Sequence, residues 1–124
     1  MKRSYTSHDL QNEFLELCAN QVLRTIAKEP NERGPLGIII EGCQDGDSEH
    51  VSLCIRYCTT DLVIHEEVVG LYATSKGDAA SLSKIIFDVF LRLGLQVTNL
   101  VDQSYDGASA MSGCIMQWCA GADP

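Results

Sequence analysis

The run Leu36-Gly37-Ile38-Ile39-Ile40 is apolar and rich in β-branched side chains, the pattern of a central strand buried on both faces. Such a strand organises the rest of the chain around it. From His50 to Tyr57 the chain alternates, with Val51, Leu53, Ile55 and Tyr57 on one face and Ser52, Cys54 and Arg56 on the other, as a half-buried strand does. A tight turn at Thr59-Thr60-Asp61 leads to a third strand over Leu62 to Ala73, completing a hairpin. Between the first two strands, Glu41, Asp45, Asp47 and Glu49 crowd together with Gly42 and Gly46. Such a stretch predicts a loop of about nine residues, long for a hairpin and acidic enough to raise the question of a bound cation.

Two helical patterns flank the strands. From Thr6 to Lys28, Leu10, Phe14, Leu17, Cys18, Val22 and Ile26 recur at three- and four-residue steps, one face of an amphipathic helix. Thr6 or Ser7 can cap it, Asp9 complements its dipole, and Pro30 ends it. Residues Asn31 to Pro35 then form a loop. After Thr74 to Asp78, the positions Leu82, Ile85, Ile86, Val89, Phe90 and Leu93 have helical spacing, with Asp78 as cap and Gly94 as terminator. A short fourth strand over Leu95 to Val101 is reached by this helical crossover, so it is expected to run parallel to a neighbour in the same sheet.

At 124 residues with 45% hydrophobic side chains, the chain is expected to form a single domain over 1–124 with one core. No apolar run approaches the ~20 residues of a membrane span, and Met1-Lys2-Arg3-Ser4 leads into polar residues instead of a signal-peptide core. An intracellular protein without membrane association is expected. The net charge of −8, with scattered basic residues, argues for weak or no nucleic-acid binding by this segment alone. Arg24, Lys28 and Arg33 are interleaved with Glu29 and Glu32, which reads as a solvated helix end. The six cysteines form no Cys-x-x-Cys pair and no zinc-finger spacing with histidine, so reduced, mostly buried thiols are expected. His65, beside Glu66 and Glu67, reads as a surface or cross-strand histidine, and Arg56 as a partner for Glu67.

A helix, three antiparallel strands, a crossover helix, a parallel fourth strand and a terminal helix match the opening of a ribonuclease-H-like fold, an α/β class. There the fourth strand lies beside the first, and the loops leaving both meet at one edge. Asp106, in Tyr105-Asp106-Gly107-Ala108-Ser109-Ala110-Met111-Ser112-Gly113, would then approach Glu41 or Asp45. Neighbouring carboxylates of this kind can order Mg²⁺ for two-metal phosphoryl chemistry. Glu41, Asp45 and Asp106 are therefore the candidate metal ligands and vestigial catalytic residues, against the plainer reading of solvated turns. No other cofactor is expected.

Several blocks carry a family resemblance. They are Tyr5-Thr6-Ser7 with Gln11-Asn12-Glu13, Ala19-Asn20-Gln21-Val22-Leu23, Leu53-Cys54-Ile55-Arg56-Tyr57, His65-Glu66-Glu67, Gly70-Leu71-Tyr72, Leu91-Arg92-Leu93-Gly94-Leu95, and Gln103 with Tyr105-Asp106-Gly107-Ala108-Ser109. In these the chain resembles the hAT-like, transposase-derived proteins among zinc-finger MYM-type proteins and the repressor of the inhibitor of the protein kinase. The likeness is to their "domain of unknown function" segment, the N-terminal part of a ribonuclease-H-like core, and it covers residues 4 to 113. In the family pattern strand one ends in an aspartate followed by Glu, two small residues and a second Asp. Here the stretch reads Glu41-Gly42-Cys43-Gln44-Asp45, so Asp45 matches the second acid and Glu41, one methylene longer, replaces the first. Ala110 stands where the pattern has Asn, and residues 114–124 are a divergent tail.

The resemblance therefore implies a truncated, domesticated, transposon-derived domain without catalytic activity, acting through a protein partner or self-association, in the nucleus by likeness or in the cytoplasm. The alternative is a metal-dependent, transposase-like nuclease or phosphodiesterase using Glu41, Asp45 and Asp106.

Overall fold

The computed structural model describes residues 6–74 and 78–105. Its elements are α1 (His8–Arg33), β1 (Leu36–Asp45), β2 (Ser48–Cys58), β3 (Ile64–Thr74), α2 (Ala79–Leu93), a 3₁₀ turn (Val97–Asn99) and β4 (Leu100–Tyr105). The strands form one mixed sheet in the order β3-β2-β1-β4. β2 is antiparallel to both β1 and β3, and β4 is parallel to β1. The α/β class, the antiparallel trio and the parallel fourth strand beside the first are thus as the sequence pattern predicts, and they are the opening of a ribonuclease-H-like fold. The anticipated terminal helix lies outside the described residues.

Alternation along the strands sorts the side chains onto two faces. Leu36, Ile38 and Ile40 of β1, Val51, Leu53, Ile55 and Tyr57 of β2 and Val69 of β3 are buried against Leu82, Ile86, Val89 and Phe90 of α2 and against Leu95. Leu23 and Ile26 of α1 pack on the same cluster. All of the apolar burial is therefore on one face. The expectation that β1 is covered on both faces is corrected here: Ile39, on the far face, is only half-buried, and the sheet presents Ser52, Cys54, Arg56, Glu66 and Val68 there without a covering layer among the described residues. One side of the run Ile38-Ile39-Ile40 suffices to bury it, because the larger share of its side chains points to the helices.

Helix α2 follows its sequence signals. The Asp78 carboxylate accepts from the Ser81 N–H at 2.8 Å, and Gly94 takes the left-handed conformation at φ 67° while its N–H donates to Leu91 and Phe90 carbonyls. These are N-cap and C-cap devices that satisfy the orphan backbone groups of the helix ends. Helix α1 starts at Ser7, whose Oγ accepts from Leu10 N–H at 3.4 Å.

Its end is a correction. The helix does not stop at Pro30 but runs to Arg33, with Pro30 in its last turn. Pro30 is buried, the Asn31 amide donates to the Leu93 carbonyl at 3.1 Å, and the Gly34 N–H donates to the Pro30 carbonyl at 2.9 Å. Tertiary anchoring and the Gly34 cap offset the backbone bond that proline cannot make. The interleaved charges of this end pair as Arg33 with Glu29 at 2.5 Å and Lys28 with Glu32 at 4.0 Å, on the solvated surface the sequence predicts.

The acidic loop between the first two strands is also corrected. β1 and β2 stay paired out to Asp45 opposite Ser48, leaving only Gly46-Asp47 as the turn. Gly46 has φ +60°, which the first central position of a II′ hairpin turn requires. The third strand begins at Ile64 and the fourth at Leu100, both later than their apolar runs predict. Leu62 takes φ +61° in the turn, and Leu95 drops into the core ahead of the 3₁₀ turn, so neither is free to pair in a ladder. At β3 a bulge falls between the pairs Leu53 with Gly70 and Cys54 with Val68, turning Val69 into the core. Such irregularities shift register without ending the strand.

Candidate functional site

Among the described residues, parallel pairing of β1 with β4 reaches Ile40 opposite Tyr105. The residue after Ile40 is Glu41, exposed and paired across β2 with Ser52. Asp106 follows Tyr105 in sequence and lies outside the described residues. The structure thus brings the end of β4 alongside the start of the outer half of β1, as a ribonuclease-H-like sheet requires.

It does not bring Glu41 and Asp45 together. Both belong to β1 and both are exposed, and four residues of extended strand separate their Cα atoms by about 13 Å. Carboxylates sharing a pair of metal ions must instead converge on centres about 4 Å apart. Asp45 stands at the hairpin tip beside Gly46, far along the strand from the β1–β4 junction. Among the described residues no three His, Cys, Asp or Glu side chains gather closely enough to hold a metal ion.

The neighbours of Glu41 define what its face can do. Across the sheet Arg56 and Glu66 form an ion pair at 3.1 Å. This corrects the expected partner of Arg56: opposite it in the register is Glu66, not Glu67, because adjacent residues of a strand point to opposite faces. Glu67 instead lies 3.9 Å from the His65 ring, and that ring stacks on Tyr57 with centroids 5.2 Å apart. His65 is accordingly a cross-strand histidine. The Cys54 thiol is pushed above its ordinary value, by burial first and then by the Glu41 and Glu66 carboxylates. The field at this face is negative and the one nearby guanidinium among the described residues is already paired.

The cysteines depart from expectation. Cys18, Cys43 and Cys58 are exposed and Cys54 is half-buried, so these four are not the core residues the sequence reading expects. Cys43 lies between Gly42 and Gln44 in the outer hairpin, which was the available signal that this stretch is wet; the apolar neighbours of Cys18, Leu17 and Ala19, gave no such signal. Cys114 and Cys119 lie outside the described residues. A groove of about 410 Å³ between the end of β3 and α2 is lined by Tyr72, Thr74, Ser81, Lys84 and Asp88. Neither Glu41 nor Asp45 borders it. Tyr72 there receives a hydrogen bond from Arg92, whose guanidinium also lies 5.9 Å from the Tyr72 ring centre. No helix among the described residues is long and apolar enough to cross a membrane.

With the β1–β4 junction in place, comparison with known families is decisive. The sequence matches DUF4371, the ZMYM1/FAM200 RNase-like domain, over residues 1–116. The chain belongs to this family. The DUF4371 match spans all four strands and both helices, so the mixed sheet is the RNase-like part of such proteins, and the resemblance read from the blocks between residues 4 and 113 points to the same family.

Proposed function

We propose that this RNase-like domain is a transposon-derived, domesticated module that has no nuclease activity and acts through protein contacts. The observation that carries the reading is the layout of β1. Glu41 occupies the position at the β1–β4 junction where the family pattern has an aspartate, and Asp45, the second acid of the pattern, stands at the far end of the hairpin. A carboxylate displaced by a methylene, with its companion about 13 Å along the strand, is a poor start for a two-metal centre that tolerates little misplacement. The pairing of Arg56 with Glu66 occupies the cation that shares this face among the described residues and disfavours a role for it in holding a phosphate. A net charge of −8 further disfavours a nucleic-acid ligand for this segment. The family relationship supports a location inside the cell, in the nucleus or the cytoplasm.

Thermal melting of the full chain with Mg²⁺ and with Mn²⁺ tests this reading, with Glu41→Ala and Asp106→Ala as controls. The expected outcome is no metal-dependent rise in Tm in any of the three proteins. A rise that vanishes in both variants would show that Glu41 and Asp106 still share a divalent ion, since a ligand bound only by the folded state must stabilise it. That result would overturn the non-catalytic reading in favour of a metal-dependent phosphodiesterase.

A further inference from the structure

Helix α2 covers β1 more fully than it covers β4. Ile38 and Ile40 of β1 are each 1% exposed, while Gln103 and Tyr105, their partners in the parallel register and on the same side of the sheet, are only half-buried. The layer of helices therefore thins out beneath the fourth strand. One flank of α2, with Ser81, Lys84 and Asp88, borders the end of β3. The other flank is turned toward β4, and there α2 and the 3₁₀ turn enclose an apolar groove of about 400 Å³ lined by Phe87, Phe90, Leu91, Leu95 and Val97. Leu91 on its rim is 84% exposed.

The chain itself supplies a segment that fits this groove. From Gly107 to Ala122 it carries no charged side chain, and Met111, Ile115 and Trp118 recur at i, i+4 and i+7 with Cys114 on the same side, an apolar stripe at helical spacing. The reach is also right. Leu100 to Tyr105 rises about 17 Å along the sheet, and about eleven residues of helix descend the same distance, so a segment that turns back at Gly107 brings Trp118 to the level of the groove beside the start of β4. Gly113 lowers the helical tendency of this stretch, and a helix so short is stabilised chiefly by packing an apolar face. The opposite face of the sheet is a poorer seat for an uncharged stripe, because Glu41, Glu66 and Asp102 all lie on it.

We propose that residues 108–119 of this chain dock as a helix in the groove between α2 and the start of β4, with Met111, Ile115 and Trp118 against Phe87, Leu91 and Val97. The segment completes the helix layer beneath the fourth strand and closes the flank of α2, so that this flank is not the surface offered to a protein partner. The inference goes beyond the non-catalytic reading and does not depend on it: metal-linked melting tests that reading, while the environment of Trp118 tests the docking.

Trp118 is the single tryptophan of the chain, so fluorescence of the full protein reads the docking directly. In the folded chain its emission should lie well to the blue of the urea-unfolded chain and acrylamide should quench it weakly, both unchanged across a dilution series. Leu91→Glu places a carboxylate without a partner in the groove. At so exposed a position it should keep the cooperative urea transition yet move the emission and the quenching most of the way to their unfolded values. Lys84→Glu, on the flank that borders β3, also adds an acid to α2 and should leave both readings as in the wild type. An emission already at its unfolded position in the wild type, an emission indifferent to Leu91→Glu, or an equal response to Lys84→Glu would each overturn the docking. Protection of Trp118 that disappears on dilution would overturn it as well, in favour of the same segment supplied by a second copy.

Discussion

Cys54 lies on the open face of the sheet, opposite Ile39 on β1 and Val68 on β3. Its thiol is held above the ordinary value of 9.0 by burial and then by Glu41 and Glu66, so at pH 8 it carries less thiolate than an ordinary cysteine. Only the thiolate alkylates. Cys54, half-buried and with its thiolate disfavoured, should therefore be modified more slowly than free cysteine in a short iodoacetamide pulse read by mass spectrometry. Glu41→Gln removes a negative charge that disfavours the thiolate, which lowers the thiol's pKa towards its ordinary value and should raise the rate at Cys54 by roughly two- to three-fold. An unchanged rate would mean that Glu41 does not act on this face. The residue most in question for metal chemistry thus has a local electrostatic signature that can be read without any metal. None of this was legible from sequence, where the alternation of β2 indicates that Cys54 and Arg56 share a face but not which acids face them. Register decided that Glu66, and not Glu67, meets Arg56.

At the scale of elements, legibility followed the strength of local signals. Helix α2 has a capping acid, a terminal glycine and an apolar stripe that all agree, and its observed limits are those its sequence implies. Replacing Asp78 with alanine removes the acceptor for Ser81 N–H and should cost about 1 kcal/mol of stability, seen as a lower midpoint at unchanged slope in urea denaturation. A slope change would instead report altered compactness of one of the two states. Where signals conflicted, tertiary structure prevailed. Pro30 is a helix breaker by its chemistry, yet burial of its ring and the Asn31–Leu93 contact keep α1 going to Arg33. The outer half of the β1–β2 hairpin was illegible because it projects where neither face is buried, so Glu41, Cys43, Gln44 and Asp45 show no apolar alternation to mark a strand. Its ladder is nonetheless continuous to the turn. The apolar run from Leu95 has the opposite character: it reads as a strand but spends its hydrophobic residues on the core and on a 3₁₀ turn before pairing begins at Leu100.

Across the whole molecule the core lies between one face of the sheet and two helices, and this one-sidedness makes a sharp contrast available. Leu53 and Leu71 are both leucines on adjacent, paired strands. Leu53 is fully buried on the helix face, while Leu71, opposite Ser52, is 78% exposed on the open face. Truncating Leu53 to alanine forfeits its transfer free energy and leaves a cavity in the cluster that holds Ile86, Phe90 and Val69, at a cost of about 2–5 kcal/mol. That is a large part of the stability of any small domain. Truncating Leu71 removes side-chain surface that water already touches, and its effect should stay within about 0.5 kcal/mol. Equilibrium denaturation of both variants checks the pair. A loss at Leu71 approaching that at Leu53 would mean that the open face is covered in solution, and the single-layer architecture would have to yield to one in which a second layer packs on Cys54, Val68 and Leu71.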